Sequence, residues 1–160
     1  MVLAAWRRAS AAAGRVLACV ADDPWLVMRL VAWRASLPLL KRTISVATLA
    51  RWMWHAPLRG VVRATRMGHV RAILERGGRV LSSTNCLERS LLLYRLFSEA
   101  GAPVALVLGT RYIGDRLDGH VWVECDGEPY GEPDACKYLR VVAFGAEGRQ
   151  LPADANTVSS

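Results

Sequence analysis

The 160-residue chain has no uncharged apolar run long enough to span a bilayer. Thr43 to Ala50 comes nearest, but Lys41, Arg42 and Arg51 bound it far short of the ~18 residues a spanning helix needs. Acids are scarce in the front half. Ahead of Cys86 only Asp22, Asp23 and Glu75 stand against Arg7, Arg8, Arg15, Arg29, Arg34, Lys41, Arg42, Arg51, Arg59, Arg63, Arg66, Arg71, Arg76 and Arg79. With a formal net charge of +7, this asymmetry fits an anionic partner or arginine-rich solvent faces on amphipathic helices, and charge alone does not choose between them. Arg7, Arg8 and Arg15 break the apolar core that an export signal requires, so Met1 to Ala21 reads as a structural helix. Cys19, Cys86, Cys125 and Cys136 form neither a CxxC pair nor a disulfide framework, which predicts reduced thiols in the cytoplasm. His120, Cys125 and Cys136 match no familiar zinc spacing and lack a fourth ligand, so no metal is expected. Repeats and low-complexity tracts are absent, and a hydrophobic content of 52% predicts one packed core.

What is present is helical first and extended later. From Val2 to about Gly77 the periodicity predicts about four helices, with breaks at Asp22-Asp23-Pro24, Ser36-Leu37-Pro38 and Pro57 to Gly60. Trp6, Trp25, Trp33, Trp52 and Trp54 all lie there, as packing residues or as a face for a partner or membrane. A further helix is expected from about Asn85 to Glu99, stopped by Gly101 and Pro103 and apolar almost all round, hence central. Strands follow at Val104 to Leu108, Val121 to Cys125, Glu128 to Tyr130 and Tyr138 to Phe144, with Asp126-Gly127 as a hairpin turn. The first strand is apolar on both faces. The cysteine helix should cover one, and the amino-terminal helices are the candidate cover for the other. The chain beyond Gly145 reads as frayed.

The chemistry centres on Cys86. Ser82, Ser83, Thr84 and Asn85 are cap-type residues ahead of an apolar helical pattern, so the cysteine falls in the helix's first turn. Unpaired amides and the positive end of the helix dipole favour a thiolate there. Alternation over Gly119 to Glu124 puts His120, Trp122 and Glu124 on one face and Val121 and Val123 on the other. If this strand lies beside the cysteine helix, His120 can meet Cys86 at the end of the sheet. Glu132 and Asp134, one hairpin on, are the two carboxylates that can orient the imidazole. The Cys86 amide, with Asn85 or a nearby hydroxyl, is the candidate oxyanion site. This is the layout of a papain-like fold.

Three blocks make a family resemblance specific: Asn85-Cys86-Leu87-Glu88-Arg89-Ser90-Leu91-Leu92-Leu93-Tyr94-Arg95-Leu96, Pro103 to Gly109, and His120-Val121-Trp122-Val123-Glu124 with Asp126-Gly127. From about Ser82 to Gly145 the chain resembles the transglutaminase-like leader peptidases of lasso-peptide biosynthesis. The resemblance implies a cysteine peptidase that removes the leader of a ribosomal precursor before a separate ATP-dependent cyclase closes the macrolactam, with Cys86 as nucleophile and His120 as base. Val121 stands where the family usually has alanine. Glu132 stands at the position of the family's aspartate, with Asp134 two residues on, so the third member stays open between them.

Nothing ahead of Cys86 reads as the strand-rich leader-recognition domain of the family's fused form. A separate recognition protein is therefore implied, with the basic helices as candidates for touching it, the leader, the cyclase or the membrane. The expectation is an α+β fold: a helical, basic, tryptophan-rich region over 1–80, a transglutaminase-like cysteine peptidase core over 81–147 and a flexible tail over 148–160. No metal, nucleotide or other cofactor is expected for the cleavage, and no nucleic acid as partner. The protein is expected to be cytoplasmic, with membrane association left open. Acyl transfer on the same residues, and a non-catalytic adaptor acting through the basic helices, are the competing expectations.

Overall fold

The computed structural model describes residues 24–57, 67–68, 70 and 85–152. The expected helix over 1–21, Trp6, Cys19, the cap candidates Ser82, Ser83 and Thr84, and the tail from 153 onward lie outside these. The described elements are α1 (Pro24–Thr43), α2 (Val46–Met53), α3 (Cys86–Glu99), β1 (Val104–Ile113), β2 (Arg116–Cys125), β3 (Glu128–Pro129) and β4 (Leu139–Phe144). Two 3₁₀ turns, Ala135–Lys137 and Ala146–Gly148, flank β4. The strands form an antiparallel sheet in the order β3-β2-β1-β4, which with the helices gives the expected α+β class.

α1 corrects one expectation. It starts at Pro24, where a missing N–H and a fixed φ suit the first helical position, but it runs straight through Ser36-Leu37-Pro38 instead of breaking there. A proline inside a helix costs about 3 kcal/mol, and the packing on either side of Pro38 offsets it. Leu37 is fully buried, Leu30, Trp33 and Leu40 pack on the same core, and burial of such a side chain contributes about 1.5–3 kcal/mol. Ion pairs flank the proline as well: Arg29 meets Glu99, and Lys41 Nζ lies 2.6 Å from Glu88 Oε1. Both acids are on α3, one at each end, so α1 lies antiparallel along it. These two front-half cations are therefore structural. Trp33 is structural too, with the Arg95 guanidinium 5.3 Å from the centre of its ring.

Leu91, Leu92, Leu93, Tyr94, Leu96 and Phe97 bury α3 on nearly every side, as its all-round apolar pattern predicts. Its front packs on the β1 and β2 face that carries Leu106, Leu108, Val121 and Val123, and α1 and α2 stack on its back. Among the described residues, the amino-terminal helices thus cover the cysteine helix and not the second face of the sheet. That second face carries Ala105, Val107, Trp122 and Ala143, and it is covered by Ala135, Tyr138 and Leu151 from later in the chain. α3 has too little polar surface to face water, which is why it takes the helices.

β1 and β2 are longer than their apolar runs suggest. They continue to Ile113 and Arg116, and the reversal takes only Gly114 and Asp115, with Gly114 at φ 60° as the first central residue of a tight hairpin. The stretch expected to fray beyond Gly145 is held as far as Leu151, whose N–H donates to Ala143 O at 2.8 Å, and Phe144 pairs with Gln150. Gly148 packs on the backbone of α2, where a Cβ would stand 2.5 Å from Arg51 N. Tyr94 donates to Gly145 O from full burial, which pushes its phenol up to about 12. Among the described residues no helix is long and apolar enough to cross a membrane.

Candidate active site

Cys86 is the first residue of α3 and Asn85 is its cap. Asn85 Oδ1 accepts the Leu87 N–H at 3.0 Å and the Cys86 thiol at 3.6 Å. The thiol is half-buried at the helix start. With Oδ1 committed to the cap, the Asn85 side chain has only its NH₂ left as an oxyanion donor. The Cys86 amide, one of the first four of the helix, has no hydrogen-bond partner among the described residues.

The sheet brings His120 to the same level. The 14 residues of α3 rise about 20 Å, and about six strand residues from Val104 cover that distance, to near Gly109, which pairs with His120 across β1 and β2. Two contacts tie the helix start to this strand. Ser90, one turn below Cys86 and almost fully buried, donates to Val121 O at 2.9 Å. Arg89, one residue before it, pairs with Glu132 Oε1. The other carboxylate oxygen, Oε2, lies 3.3 Å from His120 Nε2. A carboxylate only accepts, so Nε2 carries the proton and the Nδ1 lone pair is left for a thiol.

The structure therefore separates the two candidate carboxylates. Glu132 reaches the imidazole, whereas Asp134 stands at the start of the 3₁₀ turn and bonds Lys137 Nζ at 2.8 Å. The Lys137 hydrogen bond and charge hold the Asp134 carboxyl below the usual range. Cys86 and His120 are not hydrogen-bonded to one another: the thiol turns to Asn85 and the ring to Glu132. Such bonds are often long before substrate binds.

Aromatic rings hold the imidazole from its other side. Trp122 stacks 6.2 Å away at 19° and Tyr138 lies 5.0 Å away at 31°. The Trp122 indole lies against Gly109, where a Cβ would stand 2.7 Å from the ring, at the point where the β1–β4 register shifts. Tyr138 donates to Asp118 Oδ2 at 2.9 Å, and Arg111 both donates to that oxygen at 3.1 Å and lies over the Tyr138 ring. These two hydrogen bonds keep the Asp118 carboxyl low. Burial, then the Arg89 charge, depresses the His120 pKa below that of an ordinary imidazole. Asp118 and Asp134 oppose that and Arg111 adds to it.

Arg89, Ser90, Asp118 and Tyr138 have no role in the sequence reading. Arg89 and Ser90 carry a signal, since they sit one helical turn from Cys86. Tyr138 and Asp118 carry none, because only the fold brings the 130–138 loop across the sheet. His120, Cys125 and Cys136 do not converge: the Cys125 thiol donates to Asp126 and the Cys136 thiol to Pro133 O. Among the described residues no three His, Cys, Asp or Glu side chains are grouped as metal ligands.

A thiol at the start of a helix that packs on a sheet, with a strand histidine meeting a carboxylate, fits a transglutaminase-like arrangement. Residues 27–143 match the family model of the transglutaminase-like superfamily, and the chain belongs to that superfamily. The match takes in most of α1 and all of α2 as well as α3 and the sheet. No curated protein and no solved structure gives a match. Family and fold are compatible with cysteine peptidase or acyl-transfer activity.

Proposed function

We propose that the protein is a cysteine peptidase that cleaves the leader from a ribosomally made, lasso-type precursor. Cys86 attacks the scissile carbonyl, His120 takes the thiol proton and returns it to the leaving amine, and Glu132 orients His120. The Cys86 amide and the Asn85 NH₂ receive the oxyanion, and water then resolves the thioester. The observation that carries this reading is the His120–Glu132–Arg89 chain, which links the imidazole to the helix turn after Cys86. The lasso substrate class rests on the sequence blocks around Cys86 and His120. In this reading a separate recognition protein delivers the leader, the basic helices contact that protein or the cyclase, and the product passes to the cyclase.

Incubating the wild-type chain with precursor and the stand-alone recognition protein, and weighing the products, tests the reaction class. Free leader plus core is the expected result. An amine adduct on the acyl fragment would replace hydrolysis with acyl transfer on the same residues, and an intact precursor would leave the chain as an adaptor.

A further inference from the structure

We propose that Arg89 is a positioning residue: from the α3 turn after Cys86, its guanidinium grips Glu132 Oε1 so that Oε2 holds His120 Nε2 and Nδ1 is left for the thiol. The proposal deepens the peptidase reading and rests on it. Glu132 is carried by a loop behind the two-residue strand β3, and among the described residues its carboxylate has two contacts, one to a helix and one to a strand. Arg89 is the contact on the rigid element that also carries the nucleophile. All three side chains are largely withdrawn from water, with 31%, 15% and 21% exposed for Arg89, Glu132 and His120. Ion pairs so placed are screened far less than surface pairs. A guanidinium also fixes a carboxylate's orientation, which a lysine's point charge does not.

The charges around the ring give Arg89 a second effect. His120 faces Arg89 from α3, Arg111 from β1, Asp118 from β2, and Glu132, Asp134 and Tyr138 from the loop. A bare Glu132 carboxylate at this distance would favour imidazolium. With Arg89 on its other oxygen that anion is balanced, and burial followed by the Arg89 charge holds the ring's pKa down. Arg89 thus allows one carboxylate to orient the imidazole without charging it.

The test is the NMR titration of the His120 ring in the full chain, with its resonance identified by loss in His120→Gln, since the chain has three histidines. Arg89→Gln is expected to move the His120 midpoint to higher pH by about 1 pH unit, because a cation is lost and Glu132 is left unbalanced. A midpoint that coincides with wild type in a folded Arg89→Gln protein would overturn the proposal. Should that variant fail to fold, Glu132→Gln decides: a fall in the midpoint supports the proposal and an unchanged one overturns it. Arg89→Lys, which keeps charge but not the fork, should hold the midpoint nearer wild type while kcat for leader release still drops several-fold. The titration needs no substrate, so failure of leader release would sink the peptidase reading and leave this measurement standing. An unmoved midpoint in a protein that still releases leader would sink the role of Arg89 alone.

Discussion

Glu132 Oε2 lies 3.3 Å from His120 Nε2, and Asp134, two residues along the same loop, turns to Lys137 instead. Of two carboxylates equally placed by sequence, one meets the ring. Glu132→Gln should therefore lower kcat for leader release by about 10²-fold or more, whereas Asp134→Asn stays within about twofold of wild type. Initial rates of leader release for the two variants measure this directly. Equal losses would mean that the loop closes differently around substrate.

The depressed His120 pKa makes a prediction about stability. A histidine whose folded pKa is below its unfolded value binds its proton more readily when unfolded. Its contribution is thus present above the unfolded pKa of about 6.5 and lost as pH falls through the folded value. Urea midpoints should fall as pH drops below about 6.5, and His120→Asn should flatten that dependence. A midpoint that rises over the same acid range would contradict the burial argument.

Gly109 and Gly119 stand at nearby register positions with opposite surroundings. A Cβ at Gly109 would meet the Trp122 ring at 2.7 Å and Leu139 O at 2.9 Å, whereas at Gly119 it would meet nothing within 4 Å. Gly109→Ala should cost about 1–3 kcal/mol and displace the indole that stacks on His120. Gly119→Ala should stay within about 0.5 kcal/mol. Thermal melts give the stabilities, and near-UV circular dichroism reports the displaced tryptophan.

The place of Cys86 was legible because it depends on local chemistry: Asn85 caps a helix, and the residue after it must lie in the first turn. His120 and Trp122 were legible as one face of a strand because alternation needs no tertiary information. Pro38 was misread because a local penalty was outweighed by burial of Leu37 and by two ion pairs to α3. The extent of β1 and β2 was underestimated because the glycines and aspartates there suggest a loop. Cross-strand pairs such as Arg111 with Asp118 keep the ladder going to the two-residue turn. That Glu132 and not Asp134 meets His120, and that Arg89 meets Glu132, needed the loop's path over the sheet edge, which no local pattern encodes.

The central claim is that Cys86 is the nucleophile, and the most direct measurement compares leader release by wild type and Cys86→Ala, with precursor and recognition protein present and products resolved by mass. The account predicts free leader from the wild type and none above background from the alanine variant, with Cys125→Ala and Cys136→Ala close to wild type. Leader released by Cys86→Ala at the wild-type rate would contradict it.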